Sequence, residues 1–245
     1  MLARAVGIFA CLIFLLVVIG ITLGSLAAES GDCPGKKRTP CLTTDAKLLF
    51  PMPALVLEFV GDGRGLQEIV VNIKEQGARE KLQSDLRFDS LFITLYLLLF
   101  AGIALVLAGR GGVWVWVALA AVACSVGAAA WDGVENLAMA RAVERYDAAP
   151  VSVAAAGFLK WAFSFAALAL LAFTFRGRGF LLADLLFWLA LGVAALGAVG
   201  LLVLKAWPAR MEFRPLQLAF VLMLWLILLV GIAFWRHPDK FRARQ

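Results

Sequence analysis

Apolar runs long enough to cross a bilayer recur along this chain and leave it few ways to fold. They occupy residues 5–28, 88–109, 113–139, 151–175, 180–204 and 215–235. About 20 apolar residues span the hydrocarbon core at helical rise. Backbone groups in that medium must be bonded within a helix or around a closed barrel, and runs of this length without apolar/polar alternation read as helices. The expected fold is therefore all-α, a polytopic transmembrane helix bundle of about six spans, with a small extracytoplasmic cap. Short connectors favour antiparallel neighbours in a compact bundle.

Composition agrees, and it narrows the chemistry. Of the 245 residues 63% are hydrophobic and 16% charged, with mean hydropathy +0.90. The formal charge of +6 sits largely at span ends, where membrane orientation and anionic lipid account for it. No basic stretch interleaved with aromatics, phosphate-cradling glycine loop or G-x-S-x-G nucleophile motif is present, so nucleic acid is not an expected partner. The single histidine, His237, lies past the last span, which argues against intramembrane histidine-ligated haem or metal and against a Ser-His-Asp triad in the bilayer. No cofactor is expected.

The chain divides into a first transmembrane helix over 1–28, an extracytoplasmic cap over 29–87, a five-helix transmembrane core over 88–235 and a basic cytoplasmic tail over 236–245. Ala5 to Ala28 carries no charge and exceeds the usual length of a signal-peptide core, so a retained helix is the first reading and a cleaved leader its rival. In the cap, Cys33 and Cys41 enclose Pro34, Gly35 and Pro40, a spacing that suits a disulfide-closed loop in an oxidising compartment. An amphipathic helix over 66–76 is expected to break at Gly77, and a second to begin near Ala78 and run on into the membrane. Basic residues near span ends favour cytoplasmic termini: Arg4, Arg110, Arg176, Arg178, Arg236, Lys240, Arg242 and Arg244 would share that side with few acids.

Against this background the polar residues inside the spans stand out. Asp132, Glu135 and Asn136 sit at i, i+3, i+4 near the expected outer end of the third span, so one helical face carries two carboxylates and a carboxamide. Asp89, Phe92 and Tyr96 form a similar face on the second span, whose outer end points the same way. Lys160, followed by Trp161, lies roughly 13 Å along the fourth span from a start near Val151. Asp132 counts back to a similar depth from an end near Met139, so Lys160 is expected to meet Asp132 or Glu135, with Asp89 close by. Ionisable residues at such depth face the bundle interior or an aqueous cavity. An ion-pair network that merely locks helices together is the plainer alternative. Three carboxylates for one lysine, however, leave surplus negative charge that a proton or cation must balance.

The D-x-x-F-x-x-x-Y helix, the D-x-x-E-N helix and the following Lys160-Trp161 together resemble uncharacterised bacterial multi-pass membrane proteins, over roughly residues 65 to 175. The resemblance implies that the two acidic helices belong together and carries no activity with it. The functional expectation is a non-enzymatic accessory or ligand-binding component of the bacterial inner membrane, its site formed by Asp89, Tyr96, Asp132, Glu135, Asn136 and Lys160. Membrane lipid, and a larger membrane complex or a homo-oligomer, are its partners. A proton- or cation-coupled transporter and an intramembrane lipid-modifying enzyme are the alternatives. Transport predicts a helix broken near the midplane, for which Gly133 is the one candidate.

The remaining features read as structural. Asp184, early in the fifth span, can meet Arg176 or Arg178. Trp114, Trp116, Trp207 and Trp235 suit an aromatic belt, and Gly192, Gly197 and Gly200 permit close helix approach. Two spans end in similar turns, Arg110-Gly-Gly and Arg176-Gly-Arg-Gly, too short to mark an internal repeat.

Overall fold

A computed structural model describes residues 1–29, 76–145, 150–206 and 213–241. The described residues are helical apart from short turns. α1 spans Leu2–Glu29, α2 Gln76–Ala108, α3 Val113–Arg145, α4 Pro150–Ala172, α5 Leu181–Ala206 and α6 Phe213–Arg236, followed by a 3-10 turn over Pro238–Phe241. Five helices are long and apolar enough to cross a membrane, and α6 adds the apolar stretch Val221–Arg236. The chain is thus a polytopic helical membrane bundle. Cys33, Cys41, the 66–75 segment and the rest of the expected cap before residue 76 lie outside the described residues.

Two boundaries differ from expectation. α2 begins at Gln76 and passes through Gly77 without a break, then continues unbroken to Ala108. α3 does not end near Met139 but runs on to Arg145, because Ala140, Ala142 and the intervening Arg141 are good helix formers and neither Gly nor Pro intervenes.

Consecutive helices pack side by side, and α1 packs against α6, so the six close into a ring. Between lipid and protein there is little hydrophobic difference to drive this association, so fit at the helix surfaces has to supply it. The fit comes from glycine notches. At the closure, Gly7 on α1 faces the carbonyl of Gly231 on α6, and Gly231 in turn faces Cys11. Elsewhere a phenylalanine ring fills the notch: Phe88 lies at Gly20, Phe163 at Gly127 and Phe165 at Gly197. Of the glycines expected to admit a neighbour on α5, Gly197 does so, whereas Gly192 faces open space. Five residues rotate a helix position by about 140°, which puts the two on different faces. The centre of the ring is apolar, with a cavity of about 30 Å³ bordered by Phe100, Phe175 and Met223 among others.

One end of the bundle gathers the start of α1, the α2–α3 turn, the α4–α5 turn and the C-terminal 3-10 turn. Here Phe241 is buried, with its ring 4.4 Å from that of Phe234 and 5.7 Å from that of Phe175. Arg178 fastens the turn by donating from Nη1 to the carbonyl of Lys240 at 2.9 Å. We refer to this as the arginine end.

The notches give a direct test. Gly197→Val should lower thermal stability in detergent by about 1–3 kcal/mol, the usual cost of overpacking, and Phe165→Leu in the same chain should recover part of it. Gly192→Ala should leave the melting temperature unchanged or slightly raised.

Candidate functional site

Helical periodicity places the polar residues of α2 and α3 on facing sides, and the structure brings them together with α4. On α2, Asp89 and Tyr96 are seven residues apart, two turns on one face. On α3, Asp132, Glu135 and Asn136 share the face turned toward α2 and α4. All three are buried, Glu135 completely at 0% exposure, while Asp89 is half-buried.

Two hydrogen bonds join α2 to α3. The Tyr96 hydroxyl donates to Asp132 Oδ2 at 3.0 Å, and Asn136 Nδ2 donates to Asp89 Oδ2 at 2.6 Å. Lys160 joins α4 to α3: its Nζ stands 2.6 Å from Glu135 Oε2 and 3.2 Å from Asp132 Oδ1. These contacts are at ion-pair distance, yet Asp132 Oδ1 and Glu135 Oε2 lack a hydrogen bond of good geometry. The ammonium therefore acts on them as a point charge between two carboxylates. Glu135 Oε1 is buried and has no hydrogen-bond partner.

An aromatic collar surrounds the charges. The Tyr96 ring packs edge-on against Phe92 at 5.5 Å and near Phe100 at 6.0 Å. The Lys160 ammonium lies 5.3 Å from the ring centre of Trp161, which itself stacks on Phe165 at 5.6 Å. Low polarity around the buried Lys160, Asp132 and Glu135 strengthens each attraction and raises the cost of any unbalanced charge.

Every residue singled out for this centre is found in it. Asp132 and Lys160 nevertheless do not lie at equal depth from the ends of their helices. Asp132 lies thirteen residues before the end of α3 (132 to 145) and Lys160 ten after the start of α4 (150 to 160), about 20 Å and 15 Å along their axes. The ends of the two helices are not level, and interhelical packing sets the register.

Gly133 does not break α3, which continues through it, and the glycine faces open space. Asp184 is exposed in the first turn of α5 and pairs with neither arginine proposed for it. Arg176 lies over the Phe173 and Phe187 rings, and Arg178 Nε donates to the carbonyl of Thr174 at 2.9 Å. Ser164, which belongs to no motif, is buried one turn beyond Lys160, and its hydroxyl donates to the Lys160 carbonyl at 2.9 Å. Its i+4 spacing from Lys160 was the available signal.

What the arrangement can do is bounded by its side chains. Among the described residues no three His, Cys, Asp or Glu side chains converge as metal ligands would. The carboxylates accept hydrogen bonds from Tyr96 and Asn136, and they can take up a proton or hold a positive charge. Comparison with known proteins adds no assignment: no protein-family model, curated protein or solved structure matches the chain significantly.

Lys160→Met removes the one positive charge that the described residues place in the cluster and strands the carboxylates. Its expected cost is about 3–5 kcal/mol, the range for breaking a buried pair, seen as a large drop in melting temperature or failure to accumulate in the membrane. Asp184→Asn, at the exposed start of α5, should melt like the parent chain.

Proposed function

We propose that the chain is a non-enzymatic integral membrane protein of the bacterial inner membrane that binds one exchangeable cation at the buried carboxylates of α2 and α3. The observation that carries this reading is the charge count at Glu135. A fully buried carboxylate with one oxygen unpartnered shares a single lysine with Asp132, and Asp89 adds a third acid through Asn136. Surplus negative charge at low polarity requires a counter-charge.

A proton is the counter-charge that fits best, because it needs no ligand shell and, among the described residues, no three acids group as metal ligands would. The half-buried Asp89 and its Asn136 partner form the more open side of the cluster, and Glu135 the closed side. Proton-coupled transport is the second reading, favoured by that gradient of exposure, though α3 is unbroken at Gly133 where an alternating-access site would place a discontinuity. Among the described residues no activated nucleophile accompanies the acids, which weighs against lipid chemistry.

Infrared spectroscopy of the purified protein at neutral pH should show the carbonyl stretch of a protonated carboxyl group. That band should shrink in at least one of Asp89→Asn, Asp132→Asn and Glu135→Gln, and persist in Asp184→Asn. A parent spectrum without it, together with unaltered spectra in all three acid variants, removes the proton from the proposal.

In the orientation we propose, both termini are cytoplasmic and the carboxylate cluster lies toward the outer face. The bias of basic residues toward the arginine end supports it. With a cysteine introduced as Lys240→Cys, a membrane-impermeant thiol reagent should label the tail only after the cells are permeabilised. Labelling of intact cells reverses the topology.

A further inference from the structure

The two Arg-Gly turns of the arginine end dock on each other, and nothing in the carboxylate cluster uses them. Arg110 Nη1 donates to the carbonyl of Phe173 at 2.8 Å and lies close to that of Arg176 at 3.3 Å. Its guanidinium stacks 4.3 Å from the Trp114 ring centre. From there a run of ring contacts leads through the half-buried Phe173 and the buried Phe187 out to the exposed Trp188: Trp114 to Phe173 at 5.8 Å, Phe173 to Phe187 at 5.6 Å and Phe187 to Trp188 at 5.0 Å. Arg176 lies over the middle of this run, 5.9 Å from Phe173 and 5.7 Å from Phe187.

We propose that this platform binds the phosphate of an anionic phospholipid, with Arg176 as the principal contact and the acyl chains lying along α4 between α3 and α5. Arg176 is exposed, and among the described residues it has no carboxylate partner. A guanidinium resting beside aromatic rings, which accept no ordinary N–H···O hydrogen bond from it, keeps its N–H donors available to an oxyanion.

The backbone around it admits close approach. Gly111, Gly112, Gly177 and Gly179 adopt φ values of 74°, 57°, 71° and 74°, and each has open space where a side chain would project. α3 and α5 also begin here, adding the positive ends of two helices to the local field.

The ligand is a lipid because the platform is continuous with the bundle's outer surface. Trp188 is 68% exposed, and Trp116, one turn along from Gly112, is 72% exposed. The outward side of α4 presents Ala162, Ala166 and Ala169 at i, i+4, i+7, leading to Phe173, a strip of small side chains that leaves room for a chain. Asp184 is the acid nearest in sequence, one turn before Phe187 and Trp188, and it is exposed rather than paired to Arg176.

Native mass spectrometry of the full chain in neutral detergent, titrated with phosphatidylglycerol or phosphatidylcholine, tests the site. Phosphatidylglycerol should be retained preferentially, and Arg176→Gln should weaken it about fivefold, the equivalent of about 1 kcal/mol for one basic residue at a lipid surface. Arg236→Gln, at the same end but on α6, should leave the preference intact, and both variants should melt like the parent chain in phosphatidylcholine. Equal retention of the two lipids overturns the proposal, as does an equal loss in both variants, which would mean diffuse attraction to the whole end. Displacement of the lipid by inorganic phosphate at equal concentration would assign the platform to a soluble anion instead.

Discussion

The ammonium of Lys160, held between Glu135 and Asp132 in the interior of an apolar bundle, is the constraint to which the carboxylate-bearing half of this structure answers. A charge in that position is tolerated only if its counter-charges are fixed within a few ångströms. That requirement ties α4 to α3, and the hydrogen bonds from Tyr96 and Asn136 carry the tie on to α2. Three helices are thereby locked in rotation and in register by groups that would be costly to separate. Among the described residues the same groups exceed the positive charge beside them, and this imbalance is what the proposed proton would balance.

The rest of the bundle is assembled by shape. Lipid tails and leucine side chains are equally apolar, so the ring closes through surfaces that fit: glycine against glycine where α1 meets α6, and glycine against a phenylalanine ring at three other interfaces. Charge organises the carboxylate-bearing half and shape organises the remainder. The arginine end combines both, with guanidinium groups stacked on rings and bonded to backbone carbonyls exposed by the ends of helices. Phe241 seats in that end through ring contacts with Phe175, Phe180 and Phe234, so the C-terminal turn belongs to the bundle.

Much of this was legible in the amino-acid sequence, for a physical reason. The bilayer leaves helices as the economical answer for long apolar runs, and the 3.6-residue period then assigns Asp132, Glu135 and Asn136, or Asp89 and Tyr96, to one face without any knowledge of the neighbours. Depth counted along the spans made Lys160 their partner. The face assignments use only local geometry and hold as read, whereas the depth match reached the right partner although the end of α3 was placed too early.

What only the tertiary structure decided is how the faces meet. The sequence does not say that Tyr96 reaches Asp132 while Asn136 reaches Asp89, that Lys160 lies between two carboxylates, or that one oxygen of Glu135 is left over. Nor does it say which glycine receives a ring: Gly192 and Gly197 look alike in the chain, and only Gly197 faces Phe165. Nothing local pairs Arg110 with the turn at Arg176, 66 residues away. Periodicity fixes the angle of a side chain about its own helix axis, whereas the offset and rotation of one helix against another are fixed by interlocking side chains at contacts distant in sequence.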